Sequence, residues 1–360
     1  MAGEFTRIAQ FVSPFGPAAS PRGPGDDCAL VRVGRGRELC VTVDALVEDV
    51  HFTRAHFTPA DIGHKALAVN LSDLAAMGAT PHFALCAMGL PEWVQTAQLR
   101  GIARGMSALA RASALPLVGG NLSRARELSL TITVAGEVPR GQALRRDTAK
   151  AGAWLYVGGT LGDAAAGLLL MQHLPSHDAA RDERSGRPRG RTAQRGPGSA
   201  PSASSLALPT AAMRSLLRAQ RRPAPQLQLG LLARSFASAA IDLSDGLIAD
   251  VAHLARASGL RAILERPRLP TSPALRRGLR EGWLPPSAQD LPLTGGEDYR
   301  LLLAIPPRRA AAFERALLRA GLSATRVGWL EAGAGVEVRD PTGTRLPASG
   351  GFDHFRRPDR

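Results

Sequence analysis

The chain has 360 residues, 44% of them hydrophobic, enough to bury a substantial core and to form two globular domains. No apolar run reaches the roughly 18 residues of a membrane helix, and Met1-Ala2-Gly3-Glu4-Phe5 lacks the charged and apolar regions of a secretory signal. The expectation is a cytoplasmic protein without a membrane partner. The net charge of +14 is carried almost wholly by arginine, since Lys65 and Lys150 are the only lysines, and aromatic residues make up 4% of the chain. A noncatalytic nucleic-acid binder would need stacking platforms beside its cations, so this composition argues against one. Cys28, Cys40 and Cys86 are odd in number and form no C-x-x-C pair, so they read as small buried hydrophobes in a reducing compartment.

Residues 38–44 alternate apolar and polar, as a half-buried strand does. Thr58-Pro59-Ala60-Asp61 then reads as a helix start, with a capping threonine, a first-turn proline and an acid at the positive helix end. That helix is expected to stop at Gly78. A strand is expected over 82–90, a helix over 96–113 and a strand over 128–134. A second α/β unit begins near Ala153. Its strand, 153–158, runs into Gly159-Thr160-Leu161-Gly162-Asp163 and an Ala/Leu-rich helix. Residues 176–205 are Arg, Ser, Gly, Pro and Ala with almost no large apolar side chain, and read as a disordered insertion. A helix at 225–238, a strand at 239–242, a helix from Gly246, a strand at 299–305, a helix at 307–320 and a strand at 335–339 complete the pattern. The fold class expected is mixed α/β in two domains, 1–140 and 150–360.

The segments that stand out place acids beside glycine or at strand ends: Gly25-Asp26-Asp27, Asp44, Asp73, Asp242-Leu243-Ser244-Asp245-Gly246 and Gly295-Gly296-Glu297-Asp298. Asp-Asp beside glycine also makes an ordinary turn, and Asp242 or Asp245 can cap the helix that follows. Asp73 lies in a helix that Leu67, Leu71, Leu74 and Ala75 mark as buried. A carboxylate there needs a metal, an arginine or a hydrogen-bond network. Gathered carboxylates repel by about 1 kcal/mol per pair at 4 Å in water, and by about 4 at an effective dielectric of 20. Hard oxygen ligands suit magnesium, which bridges carboxylates to phosphates. There is no H-E-x-x-H, cysteine cluster or EF-hand loop to support zinc or calcium, and no P-loop or protein-kinase motif set.

In order along nearly the whole chain, these segments resemble the thiamine-monophosphate kinase family. That family belongs to a wider group that shares its fold with aminoimidazole ribonucleotide synthetase. The resemblance is carried by Gly25-Asp26-Asp27-Cys28-Ala29-Leu30, Thr42-Val43-Asp44-Ala45, His51-Phe52, Lys65 through Gly78, Gly159 through Leu168, Ile241 through Leu247, Thr294 through Tyr299, and Gly351-Phe352-Asp353-His354-Phe355. It implies an N-terminal α/β domain whose sheet pairs in a homodimer. It implies ATP as co-substrate and Mg2+ held by Asp27, Thr42, Val43, Asp44, Asp73, Asn121, Asp242 and Asp245. Gly120, Asn121, Arg146 and Ser244 would contact ATP, and His51, Glu297 and Phe352 would contact thiamine monophosphate. The implied reaction is in-line phosphoryl transfer without a covalent nucleophile. Other ATP-using enzymes of the wider group are the alternative. Two departures weaken the likeness locally. The family's Gly-Gly-Asp is here Gly119-Gly120-Asn121, and its Thr-Thr-Arg-Gly-Pro is here Leu122-Ser123-Arg124-Ala125-Arg126.

Overall fold

The computed structural model describes residues 10–11, 13–15, 33–173 and 209–346. Asp27, Cys28, Phe352 and the expected insertion at 176–205 lie outside them. The architecture is mixed α/β, as expected, with two sheets.

The first sheet holds β1 (Arg37–Val47), β2 (Thr80–Leu90), β3 (Leu117–Arg124) and β4 (Ser129–Pro139), in the order β1-β4-β2-β3. Alternation decides its faces. Leu130, Ile132 and Val134 of β4 point with Ala84, Cys86 and Met88 of β2 into the core. There they meet α1 (Pro59–Ala76) and α2 (Thr96–Ala112). Helix α1 starts as its sequence dictates. The Thr58 hydroxyl accepts from the Asp61 N–H while the Asp61 carboxylate takes the Thr58 N–H, with Pro59 in the first turn. It ends at Met77, before Gly78 at φ 65°. The two helices cross at backbone contact: a Cβ on Gly63 would lie 2.0 Å from the Ile102 carbonyl oxygen. Of the cysteines, Cys86 is buried in this core and Cys40 half-buried.

The second sheet holds β5 (Trp154–Gly158), β6 (Ala239–Leu243), β7 (Leu260–Glu265), β8 (Arg300–Ile305), β9 (Ala324–Ala332), β10 (Gly335–Arg339) and β11 (Arg345–Leu346). Their order is β11-β10-β7-β9-β5-β8-β6. Around it lie α3 (Asp163–His173), α4 (Ala211–Arg221), α5 (Leu227–Ala233), α6 (Leu247–Ala257), α7 (Pro273–Arg280), α8 (Leu291–Thr294) and α9 (Pro307–Ala320). The helix expected over 225–238 stops at Ala233. Elements α4, α7, β7 and β9 were not expected from the sequence. Helices α4 and α7 are arginine-rich and bury only Leu216, Leu217 and Gln220, and Ala274, Leu275 and Gly278, so they carry little apolar signal. Strand β9 is defined by its neighbours, pairing β7 on one side and β5 on the other.

Helix α1 belongs to both halves. It packs on β1 and β4 of the first sheet and on α5, β6 and β8 of the second. Replacing Gly63 by alanine should force α1 and α2 apart. We expect a loss of about 1–3 kcal/mol, typical of an overpacked core, read as a lower denaturant midpoint with an unchanged slope.

Candidate active-site cleft

A cleft of about 340 Å³ opens where α1, the end of β1, the β6–α6 loop and the 296–299 segment converge. Its walls bring together Asp44, His51, Asp73, Arg146, Asp242, Ser244, Asp245 and Glu297, all singled out in the sequence. Apolar surface comes from Val50, Val69, Ala165 and Leu168. A second recess of about 560 Å³ runs beside it, lined by Cys40, Thr42, Asp73, Met77, Arg145, Arg146 and Asp147 among others. Five lining carboxylates thus face one arginine in the first cleft.

Each aspartate is tethered by chain chemistry. Thr42 Oγ1 donates to Asp73 Oδ2 at 2.7 Å, and Ser72 Oγ donates to Asp242 Oδ2 at 2.8 Å. The Asp44 N–H is held by Asn70 Oδ1 at 3.0 Å. Asp242 is buried at the end of β6, and burial first, then the Asp73 charge, pushes its carboxyl up to about 7. Asp44 is raised by desolvation, then by Asp73 and Asp245. Asp73 is raised by desolvation, against the opposing Thr42 hydrogen bond and the Arg146 charge. Among the described residues, no three His, Cys, Asp or Glu side chains already converge as a closed metal cage.

The other sequence-derived residues lie elsewhere. Val43 turns its side chain to the exposed face of β1, 56% accessible. Gly120 and Asn121 sit on β3, the opposite edge of the first sheet, and do not line the cleft. Register connects Asp44 through Ile132 and Cys86 to Gly120. Three strand spacings, about 14 Å, therefore separate Asp44 from Gly120.

Several residues were missed as site-builders. The Asp250 carboxylate accepts from the N–H groups of Asp245 and Gly246, both at 3.1 Å, and shapes the turn that carries Ser244 and Asp245. Its carboxyl is pushed up to about 8 by burial, then by Asp245 and Asp242. That turn also needs Gly246, at φ 110°, where a Cβ would lie 2.8 Å from the Thr294 carbonyl oxygen. Asp298, buried beside Glu297, accepts from the N–H of Gly162 at 2.5 Å and of Ala164 at 3.0 Å, which fastens the segment to the start of α3. The pairing ties the Gly159–Leu168 motif to the Gly295–Tyr299 motif. Tyr299 lines the cleft, and Lys65 lies behind Glu297.

Two domain models define the class of the molecule. The AIR synthase related protein N-terminal domain matches residues 25–138, and the corresponding C-terminal domain matches residues 150–341. The thiamine-monophosphate kinase of Salmonella typhimurium is 35% identical over 364 residues, covering 99% of both chains. The crystal structure of thiamine-monophosphate kinase from Stenotrophomonas maltophilia superposes with a TM-score of 0.75 at 37% identity, over 93% of this chain and 96% of that one. A solved AaThiL complex with AMPPCP and TMP gives 0.71 at 30% identity, over 92% and 91%. The chain belongs to the thiamine-monophosphate kinase family.

Asp298 allows a test of the cleft's scaffold. Burial pushes its carboxyl up to about 7 despite two backbone N–H donors. A carboxyl raised in the folded state binds its proton more tightly there, so its contribution is complete below about pH 4 and is lost as pH rises through 7. Asp298→Asn should be less stable than the parent by about 1–3 kcal/mol at pH 5. The gap should narrow between pH 5 and 8, by up to about 1.4 kcal/mol per pH unit. Urea melts across that range check it; a constant gap would show that Asp298 does not titrate there.

Proposed function

We propose that this chain transfers the γ-phosphate of ATP to thiamine monophosphate, giving thiamine diphosphate and ADP, in the cleft between its two sheets. One observation carries the reading: five acids from four separated sequence motifs meet in a single cleft, in a chain that matches its kinase relatives from end to end. AaThiL was solved with both AMPPCP and TMP, and we propose the same two ligand classes here. Residues 1–140 and 150–360 would be the two domains.

The donor set fits magnesium. Oxygen ligands predominate, and five carboxylates lining one cleft, with Asp73 adding its charge to the rise of both Asp44 and Asp242, form a concentration of negative charge that a divalent cation relieves. Asp27, Thr42, Val43, Asp44, Asp73, Asp242 and Asp245 would hold it, by side chain or backbone oxygen, whereas Asn121, three strands from Asp44, does not reach the same ion. When bound, magnesium neutralises the phosphates and spreads the charge of the transition state. The chain's own groups do the rest. Arg146, the one arginine of the cleft, and Ser244 would bind ATP phosphates. His51, Glu297 and Phe352 would hold thiamine monophosphate, against the apolar surface of Ala165 and Leu168. The attacking phosphate oxygen is anionic at neutral pH, so no general base is required, and none is assigned.

We also propose a homodimer and a cytoplasmic location. Leu39, Val41 and Val43 stand 39%, 59% and 56% exposed on one face of β1, an edge strand with unpaired backbone groups. An apolar edge of this kind calls for cover. Among the described residues, no helix is long and apolar enough to cross a membrane.

Thiamine monophosphate, and not free thiamine, should be the acceptor, because its phosphate oxygen attacks as an anion, whereas a neutral hydroxyl would first have to give up a proton and the cleft's aspartates are assigned to magnesium. Comparable thiamine-diphosphate or thiamine-monophosphate formation from the two acceptors would sink this reading. Asp73→Asn should damage catalysis far more than folding, since asparagine can still accept from Thr42. We expect kcat/KM to fall at least about tenfold, or about 1.4 kcal/mol, with partial recovery at high magnesium. Without magnesium the melting temperature should hold or rise as repulsion is relieved. Unfolding of the variant with normal turnover in its folded fraction would make Asp73 a structural residue.

A further inference from the structure

Helix α1 is buried along most of its length, and near its start it carries Lys65, which has no exposed surface. A buried ammonium persists only where protein groups replace its water. Lys65 Nζ lies 2.6 Å from Glu297 Oε1. It donates to the His51 carbonyl oxygen at 3.2 Å and stands 5.3 Å from the centre of the Phe57 ring. The other Glu297 oxygen accepts from Gln220 Nε2 at 2.5 Å. Glu297 and His51 line the cleft from opposite halves of the chain, whereas Lys65 does not line it. Lys65 thus bonds directly to both residues that the preceding reading assigns to thiamine monophosphate.

The backbone adds a constraint. Glu297 sits at φ 66°, a left-handed conformation that few non-glycine residues adopt. With one oxygen on Lys65 and the other on Gln220, the carboxylate has a fixed orientation. The ion pair also offsets its charge, so Glu297 adds little to the repulsion that the cleft's aspartates exert on two incoming phosphates. A compact ammonium suits this enclosed point contact, where a planar guanidinium would need a wider fork of acceptors.

We infer that Lys65 is a positioning residue for the phosphate acceptor: it fixes Glu297 across the cleft from His51 and offsets the Glu297 charge. The inference rests on thiamine monophosphate being the acceptor.

The experiment compares Lys65→Met, Glu297→Gln and the double variant, all in the full chain. KM for thiamine monophosphate and for ATP is measured separately, with calorimetric binding of thiamine monophosphate and thermal melts alongside. Lys65→Met should raise both KM and Kd for thiamine monophosphate about thirtyfold, the usual scale for stripping one partner from a buried charge pair. KM for ATP should stay within about twofold. Because Lys65 acts through Glu297, the double variant should bind thiamine monophosphate within about threefold of Glu297→Gln alone. The double variant also leaves no orphaned charge, so it decides the matter if Lys65→Met fails to fold. Unchanged thiamine-monophosphate constants in folded Lys65→Met, or a double variant more than about tenfold weaker than Glu297→Gln, would overturn the assignment. Parent protein that neither binds nor turns over thiamine monophosphate removes the acceptor reading before any variant is compared, and the assignment falls with it.

Discussion

The structure turns on a helix that is buried yet not apolar. Helix α1 lies between the two sheets, and Lys65, Asn70 and Ser72 on it are buried polar side chains, with Asp73 partly buried beside them. Buried polar groups without partners cost roughly 1–3 kcal/mol each, and charges more. Each of these residues is satisfied across an interface: Asn70 and Asp73 by β1, Ser72 by Asp242 of β6, Lys65 by Glu297. The polar bonds of one helix therefore set where the two halves stand. The cleft is the space those bonds leave between them.

The same constraint shapes the electrostatics. Asp44, Asp73 and Asp242 are raised chiefly by desolvation; the charge of Asp73 then adds to the rise of Asp44 and of Asp242. Thr42 and Ser72 moderate this by donating hydrogen bonds to the charged form. These hydroxyls hold the carboxylates in place without neutralising them, so the cleft remains short of positive charge. Its one arginine, Arg146, lowers both Asp73 and Asp242, though it ranks behind burial in each. Oxygen-rich and short of cations, such a site has the chemistry that the magnesium proposal calls for.

Much of this was legible in the sequence, and the physical reason differs from element to element. Period-two alternation gave β1 and β4, and the Thr58–Asp61 capping box gave the start of α1, because those signals are local. Asp44, Asp73, Asp242, Asp245 and Glu297 stood out because acids at strand ends or inside an apolar helix demand an explanation. Helices α4 and α7 were hidden because their arginines mask short apolar faces. Strand β9 depends on partners distant in sequence. Asp250 and Asp298 bond to backbone N–H groups, a role that spacing alone does not reveal. Gly120 and Asn121 mark a different limit: a motif gives residue order, but the sheet decides which edge it occupies. Lys65 carried a signal that went unused. A lysine among the alanines and leucines of a buried helix, in a chain whose cations are nearly all arginine, already points to a specific contact.

The 297–299 segment shows how these constraints combine at the site. Glu297 at φ 66° and Tyr299 at φ 49° both occupy left-handed backbone, one on each side of buried Asp298. Such conformations cost about 1–3 kcal/mol each for ordinary residues and persist where surrounding bonds over-determine them. Here the bonds are present. The Glu297 N–H reaches the Ser244 carbonyl at 2.7 Å, the Tyr299 N–H reaches the Leu243 carbonyl at 2.8 Å, and the Asp298 carboxylate grips the start of α3. The odd residues face the cleft while the even one anchors the turn, an alternation that a relaxed loop would not maintain. Tyr299 keeps its hydroxyl protonated, held far above its usual range by burial and then by Glu297, Asp242 and Asp44. The segment thus adds only one carboxylate to the cleft, that of Glu297, and the Lys65 ion pair offsets it.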